Sequence, residues 1–218
     1  MRTQLGSLAV ALFLASPAIA EIAPPPEPPA LNEVNAAPSN SPRDRVKSVQ
    51  LGSFSAQFEK TRLEEIRDRI GSGEAAQAGD ASEAIRWYCY SLPGQIIWFV
   101  SGPMGGGTRL TDVAAQSVEP SDPRSASCPP IPTSVQPVRL ESGWLGASRA
   151  SLQQSLGKPS AVHGEWLVFR YSGKWLGPLK GLGDAQTREI EFDVTSEIKV
   201  QIRGDRVVEL HASHVTSN

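Results

Sequence analysis

The stretch GWLGASRASLQQSLGKPSAVHGEWLVFRY, Gly143 to Tyr171, decides how the rest of the chain is read. It spells a short helix, a sharp stop and an aromatic strand. Ser148 can accept from the free amides of a first helical turn, and Leu152 and Leu156 recur at i, i+4 on one face. Gly157 offers positive φ at the helix end, and Pro159 cannot continue the helix. After a short polar loop, Glu165-Trp166-Leu167-Val168-Phe169-Arg170-Tyr171 has strand composition, with Leu167, Phe169 and Tyr171 on one face. A fainter copy lies earlier, where Thr61 to Gly71 is a capped amphipathic helix ending in Gly and Arg86 to Tyr90 is an aromatic strand. The expected class is α+β, built as two tandem helix-plus-antiparallel-sheet repeats.

Downstream, Ser172 to Thr187 is rich in Gly and Lys and reads as a loop. Its Trp175 and Leu176 make an apolar tip, which is either a contact surface or, for Trp175, a ring folded back over its own sheet. Arg188 to Val194 alternates Ile190, Phe192 and Val194 with Glu189, Glu191 and Asp193, and Glu197 to Ile202 repeats the pattern. A half-wet antiparallel sheet has this alternation. Arg203-Gly204-Asp205-Arg206 turns the chain into Val207 to Leu210. Gly-Asp is what a tight hairpin demands, which outweighs the integrin-type tripeptide in the same residues.

Upstream, Val49 to Phe54 reads as a short strand. Thr61-Arg62-Leu63-Glu64 then fits a capping box, and Leu63, Ile66 and Ile70 share one face while Glu64, Glu65, Arg67 and Asp68 lie on the wet side. Ile85–Leu92 and Gln95–Ser101 form a hairpin through Pro93-Gly94, with Trp87, Tyr88, Tyr90, Trp98 and Phe99 as cross-strand aromatics. Gly102 to Gly107 contains three consecutive glycines, but Gly107-Thr108-Arg109 lacks the lysine and helix pattern of a phosphate loop. It reads as a flexible connection to a third strand within Thr108–Val118. Pro120 to Pro137 is Pro/Ser-rich and holds Cys128.

Met1 to Ala20 has the parts of a secretory signal: Arg2, an apolar run from Leu8 to Ala15, and Ala18-Ile19-Ala20 for cleavage. The run is short of the roughly 20 residues that span a bilayer, and no other segment reaches that length. A periplasmic location is expected, with secretion as the alternative. Cys89 and Cys128 are the only thiols, and an even count in an exported chain favours pairing. Closing 39 positions (128 − 89) is worth about 4 kcal/mol by chain entropy. Residues 21–47 are rich in proline and read as a disordered spacer. Pro26-Glu27-Pro28-Pro29 contains P-x-x-P, but proline-reading domains are not expected in that compartment. The chain thus divides into 1–20 signal, 21–47 spacer, 48–119 first repeat, 120–142 linker tied back by the disulfide, and 143–214 second repeat. A net charge of −2 offers no basic excess for nucleic acid.

The pattern Gly146-Ala147-Ser148, Leu152, Leu156-Gly157-Lys158-Pro159, an aromatic strand, and a terminal hairpin carrying Ile198, Val200, Ile202 and Val207-Val208 resembles two families. One is the small lipoprotein of the outer-membrane β-barrel assembly machinery, and the other is the tandem-repeat (BLIP-like) β-lactamase inhibitor proteins. The resemblance covers Gly143 to Ala212 and, more weakly, Thr61 to Val118. It implies a helix or helical pair packed on a small antiparallel sheet, with proteins bound across that sheet and its loops. The lipidated cysteine is missing, so anchoring does not carry over. No loop matches one inserted into a lactamase cleft, so inhibition does not carry over either.

Catalytic chemistry finds little footing. His163, His211 and His214 are the only imidazoles; His211-Ala212-Ser213-His214 gives two ligands where a zinc site wants three or four. No G-x-S-x-G elbow occurs. Glu189, Glu191 and Asp193 project side by side from one ribbon, unlike the opposed carboxylates of a glycosidase. The expectation is a non-catalytic envelope protein without cofactor or metal, binding an envelope or periplasmic protein through Trp166, Tyr171, Trp175 and Leu176. The alternatives are a periplasmic inhibitor of a hydrolase and a periplasmic hydrolase.

Overall fold

The computed structural model describes residues 24–29, 46–80, 83–178 and 189–217. The expected signal segment lies outside the described residues. Two eight-residue helices, α1 (Leu63–Ile70) and α2 (Arg149–Leu156), are too short to persist alone and depend on what they bury. Leu63, Ile66 and Ile70 do so in α1, Leu152 and Leu156 in α2. The start of α2 is as the sequence predicts: Ser148 Oγ accepts from the Ser151 amide at 3.1 Å. The start of α1 is shifted by one residue. Arg62 is its N-cap, and the Arg62 amide donates to Glu65 Oε1 at 3.0 Å. Thr61 Oγ1 instead accepts from the Gln57 amide at 2.8 Å, because the preceding strand offers it a nearer backbone donor.

That preceding strand belongs to a hairpin of β1 (Ser48–Leu51) and β2 (Phe54–Gln57). The main-sheet strands of the first half are β3 (Ala76–Ala78), β4 (Ile85–Leu92), β5 (Gln95–Ser101) and β6 (Asp112–Ser117). Next comes β7 (Val138–Leu140), which pairs with β1 to complete a three-stranded sheet ordered β2-β1-β7. Residues 120–142 therefore do more than link, since they also carry 3-10 turns at Pro123–Ser127 and Thr133–Val135. The rest are β8 (Ala161–His163), β9 (Trp166–Pro178), β10 (Glu189–Arg203) and β11 (Arg206–Ser217). An eight-stranded antiparallel sheet runs β3-β4-β5-β6-β11-β10-β9-β8. Each helix is followed by four of these strands, and the last of each four, β6 and β11, meet at the centre with Val113 opposite Ala212. The architecture is α+β and mostly sheet.

Both halves feed one buried cluster, in which Ile66 and Phe99 join Leu152, Phe169 and Val200. Fully burying such a side chain is worth roughly 1.5–3 kcal/mol. Two departures concern β9 and β10. Ser172 to Pro178 is strand rather than loop, paired residue by residue with Glu189 to Thr195. The two alternating segments expected separately, 188–194 and 197–202, run together from Glu189 onward as one 15-residue strand, because Thr195 and Ser196 keep the pairing with Ser172 and Tyr171. The β10–β11 turn is the expected tight one, with Gly204 and Asp205 at φ of 53° and 62°.

Candidate functional site

Alternation along the strands gives the eight-stranded sheet two unlike faces. The inner face carries Ile198, Val200, Leu167, Phe169, Leu210 and Phe99, and both helices pack their buried residues with these. The outer face carries their alternate neighbours and has an apolar end and a charged end.

At the charged end, register sets Glu197 between Arg170 and Ser213, and Lys199 between Val168 and His211. Arg170 Nε donates to Glu197 Oε2 at 2.5 Å, and Lys199 Nζ lies 2.9 Å from Glu197 Oε1. On β11, His211 Nε2 is 3.1 Å from Glu209 Oε1, while Gln116 Nε2 donates to Glu209 Oε2 at 2.9 Å. Arg124 extends this line, donating to Gln116 Oε1 at 2.9 Å and pairing with Asp122. Glu197, Lys199, Glu209 and His211 are each 8% exposed or less. Charges so enclosed persist only when paired. Burial alone pushes the Glu209 carboxyl up, but His211, Gln116 and Arg203 outweigh it and hold it below the ordinary carboxylate range. Asp112 goes the other way: burial raises it, against the opposing effects of the Thr111 hydroxyl at 2.6 Å and of His211. A cavity of about 450 Å³ opens here, edged by Asp112, Glu197, Lys199 and His211 on one side and by Glu27 and Pro28 on the other.

At the apolar end, Trp87, Trp98, Ile96, Val100 and Ala114 form a second buried cluster with the Cys89–Cys128 disulfide. The bridge is the one the sequence predicts. The spacer expectation for 21–47 fails at 24–29, where the Pro26 carbonyl accepts from Trp87 Nε1 at 3.0 Å and from Trp98 Nε1 at 2.9 Å. Each indole is 2% exposed or less, and a buried donor left unpaired costs about 1–3 kcal/mol. The Pro26 carbonyl supplies the acceptor that both indole donors use.

The four candidate contact residues are dispersed. Tyr171 is 5% exposed, and its hydroxyl donates to the Leu156 carbonyl at 2.6 Å. It pins α2 to the sheet and offers no surface. Trp166 is half-buried on the outer face, its ring 6.3 Å from that of His211. Trp175 and Leu176 are 52% and 64% exposed. They sit on the β9–β10 arm, which runs past Asp193, the last residue paired with β11. Trp175 follows the folded-back alternative in part: its ring lies 5.3 Å from Phe192 and so close over Gly177 that a Cβ there would collide with it. Beside them Lys174 pairs with Glu191.

Sequence reasoning missed the charged constellation. The signal was present as Glu197-x-Lys199 and Glu209-x-His211, each at strand period, but joining them needs the β10–β11 register. A second unforeseen grouping sets Ser196 Oγ 2.5 Å from His214 Nδ1, with Glu59 Oε2 3.9 Å from His214 Nε2. It has the order of a hydrolase triad but not the access, since Ser196 is 1% exposed. Glu59 binds Thr216 instead, through the Thr216 amide and hydroxyl, both at 2.6 Å. This is a clamp on the last strand. His211 and His214 point to opposite faces of β11, and no group of three or more His, Cys, Asp or Glu placed to hold a metal occurs among the described residues.

No family model and no curated protein matches the chain, so neither supports the resemblance to the assembly lipoprotein. Among solved structures the chain is similar to a Streptococcus mutans protein provisionally named a β-lactamase inhibitor protein, at 8% identity and a TM-score of 0.25. The match covers 78% of this chain and 91% of that one. A likeness this faint says nothing about activity or partner.

Proposed function

We propose that this chain is an exported, non-catalytic protein-binding module of the bacterial envelope, periplasmic once a leader at 1–20 is removed. Its two αββββ runs are tandem repeats of one unit, and the outer face of the shared sheet receives the partner. The observation that carries this is an open cavity on that face, away from both helices, where the paired side chains Glu197, Lys199 and His211 meet apolar residues such as Ile85, Val100 and Ala114. Glu27, Asp112, Glu197, Lys199 and His211 at its edge offer hydrogen-bonding groups to a polar side chain or backbone of the partner. Trp175 and Leu176 add an exposed apolar contact on the arm, the kind of residue in which interface energy concentrates.

The test is site-specific photo-crosslinking of the full chain in envelope extract, with the crosslinker at Gln201 on the outer face or at the exposed Gln153 on α2. A protein captured from 201 and not from 153, and lost with Glu197→Lys, is expected. Equal capture from both, or from neither, overturns the reading. Export is checked by the mass of the periplasmic protein, which should begin at Glu21.

The inhibitor alternative is the same face bound to a hydrolase, and the captured partner decides it. The hydrolase alternative would need substrate to reach Ser196 of the Ser196, His214 and Glu59 grouping, and that side chain is buried. Hydrolysis of any ester or amide in a broad panel, abolished by Ser196→Ala, would establish it in place of the non-catalytic role.

A further inference from the structure

We propose that Trp87 and Trp98 form a reading site for an extended proline-rich peptide, occupied in this chain by its own residues 24–29 and open to the same kind of segment supplied in trans. Residues 24–29 are Pro-Pro-Pro-Glu-Pro-Pro. Five of the six have no amide N–H, so the segment meets its surroundings almost wholly through carbonyl acceptors and ring faces. Trp87 and Trp98 are diagonal neighbours on β4 and β5, and both indole N–H groups converge on the Pro26 carbonyl. An aromatic groove with outward indole donors is the complement that proline-rich ligands find in their receptors. The segment takes no strand position in either sheet, and it reaches Trp87 and Trp98 across 61 and 72 residues of chain. It is a tethered ligand rather than a part of the sheet. Pro28 and Pro29 line the charged cavity together with Ile85 and Val100, so the occupant of the groove also forms one cavity wall. The groove stands independently of the envelope role proposed above.

The experiment uses the full chain with Pro24, Pro25, Pro26, Pro28 and Pro29 all changed to Gly. This leaves the tether and its carbonyls in place but removes the ring contacts and the fixed extended conformation, so that the segment competes weakly for the groove. Titration with the synthetic peptide Pro-Pro-Pro-Glu-Pro-Pro is followed by the five indole N–H resonances. Saturable shifts of two of them are expected. The unaltered chain should bind the peptide at least ~10-fold more weakly, because its own segment competes at a high effective concentration. In the substituted background, Trp87→Phe and Trp98→Phe each keep an aromatic ring and delete one donor, and each should weaken binding about five-fold. Absence of saturable binding to the substituted chain overturns the proposal. So does equal affinity for the substituted and unaltered chains, or unchanged affinity in both Phe variants when their indole spectra show a folded protein.

Discussion

The two ends of the outer sheet face rest on the same backbone alternation and are finished in opposite ways. At the β4–β5 end the outward side chains are tryptophan, isoleucine and valine, and the chain covers them with a disulfide-tied loop and a proline segment. At the β9–β11 end they are glutamate, lysine and histidine, which close on one another in pairs and leave a cavity. Apolar surface is shielded by whatever segment can reach it, whereas charged surface needs only correctly placed neighbours. The first end is therefore covered by segments outside the sheet, and one of them, through Glu27, Pro28 and Pro29, also walls the cavity at the second.

The contrast breaks most readily at the bridge. Replacing Cys89 and Cys128 together by Ala should lower stability by about 4 kcal/mol through the freed loop. The denaturant midpoint measures it, and an unchanged midpoint would show that the sheet alone holds the apolar end. Glu197→Ala tests the charged end by removing the carboxylate that Lys199 and Arg170 share. A loss of about 3 kcal/mol is expected, whereas a gain would mean the pairing serves binding and not the fold. Trp98→Phe keeps the ring but leaves the Pro26 carbonyl one donor short, and it should cost about 1 kcal/mol.

Acid titration sharpens the contrast inside the charged end. Asp112 is raised, so its contribution is present below its unfolded value of 3.8 and fades as pH climbs through the folded value. Glu209 is lowered from 4.5, so its contribution is present above that and fades as pH falls through the folded value. On acidification Asp112→Asn should therefore lose more stability than the unaltered chain, and Glu209→Gln less. Parallel pH profiles of unfolding for all three proteins would contradict this. The smallest stability effect is expected at Trp175→Ala, below about 1 kcal/mol since the ring is half exposed. Its consequence should appear in partner capture, and capture that survives the change would remove the arm from the interface.

Much of the fold was legible because it is locally encoded. Ser148, Gly157 and Pro159 mark α2 through contacts with residues a few places away, and Gly204-Asp205 selects its turn the same way. The cap of α1 was misplaced by one residue, because Thr61 answers to Gln57 in a strand whose position the local pattern does not contain. The Gly-rich stretch after Tyr171 read as loop, yet cross-strand pairing extends the ribbon through it as far as Pro178. Tyr171 looked like a candidate surface aromatic, and the Leu156 carbonyl above it makes it a core residue.

Composition and spacing by themselves determined the α+β class, the disulfide pair and which strand residues are charged, since each follows from residue type and a period of two or 3.6. Only the tertiary structure decided that β6 meets β11, that Lys199 faces His211, and that a proline carbonyl ends between two distant indoles. Those contacts join residues far apart in the chain, so their energy depends on where every intervening element has packed, which no local pattern of residues contains.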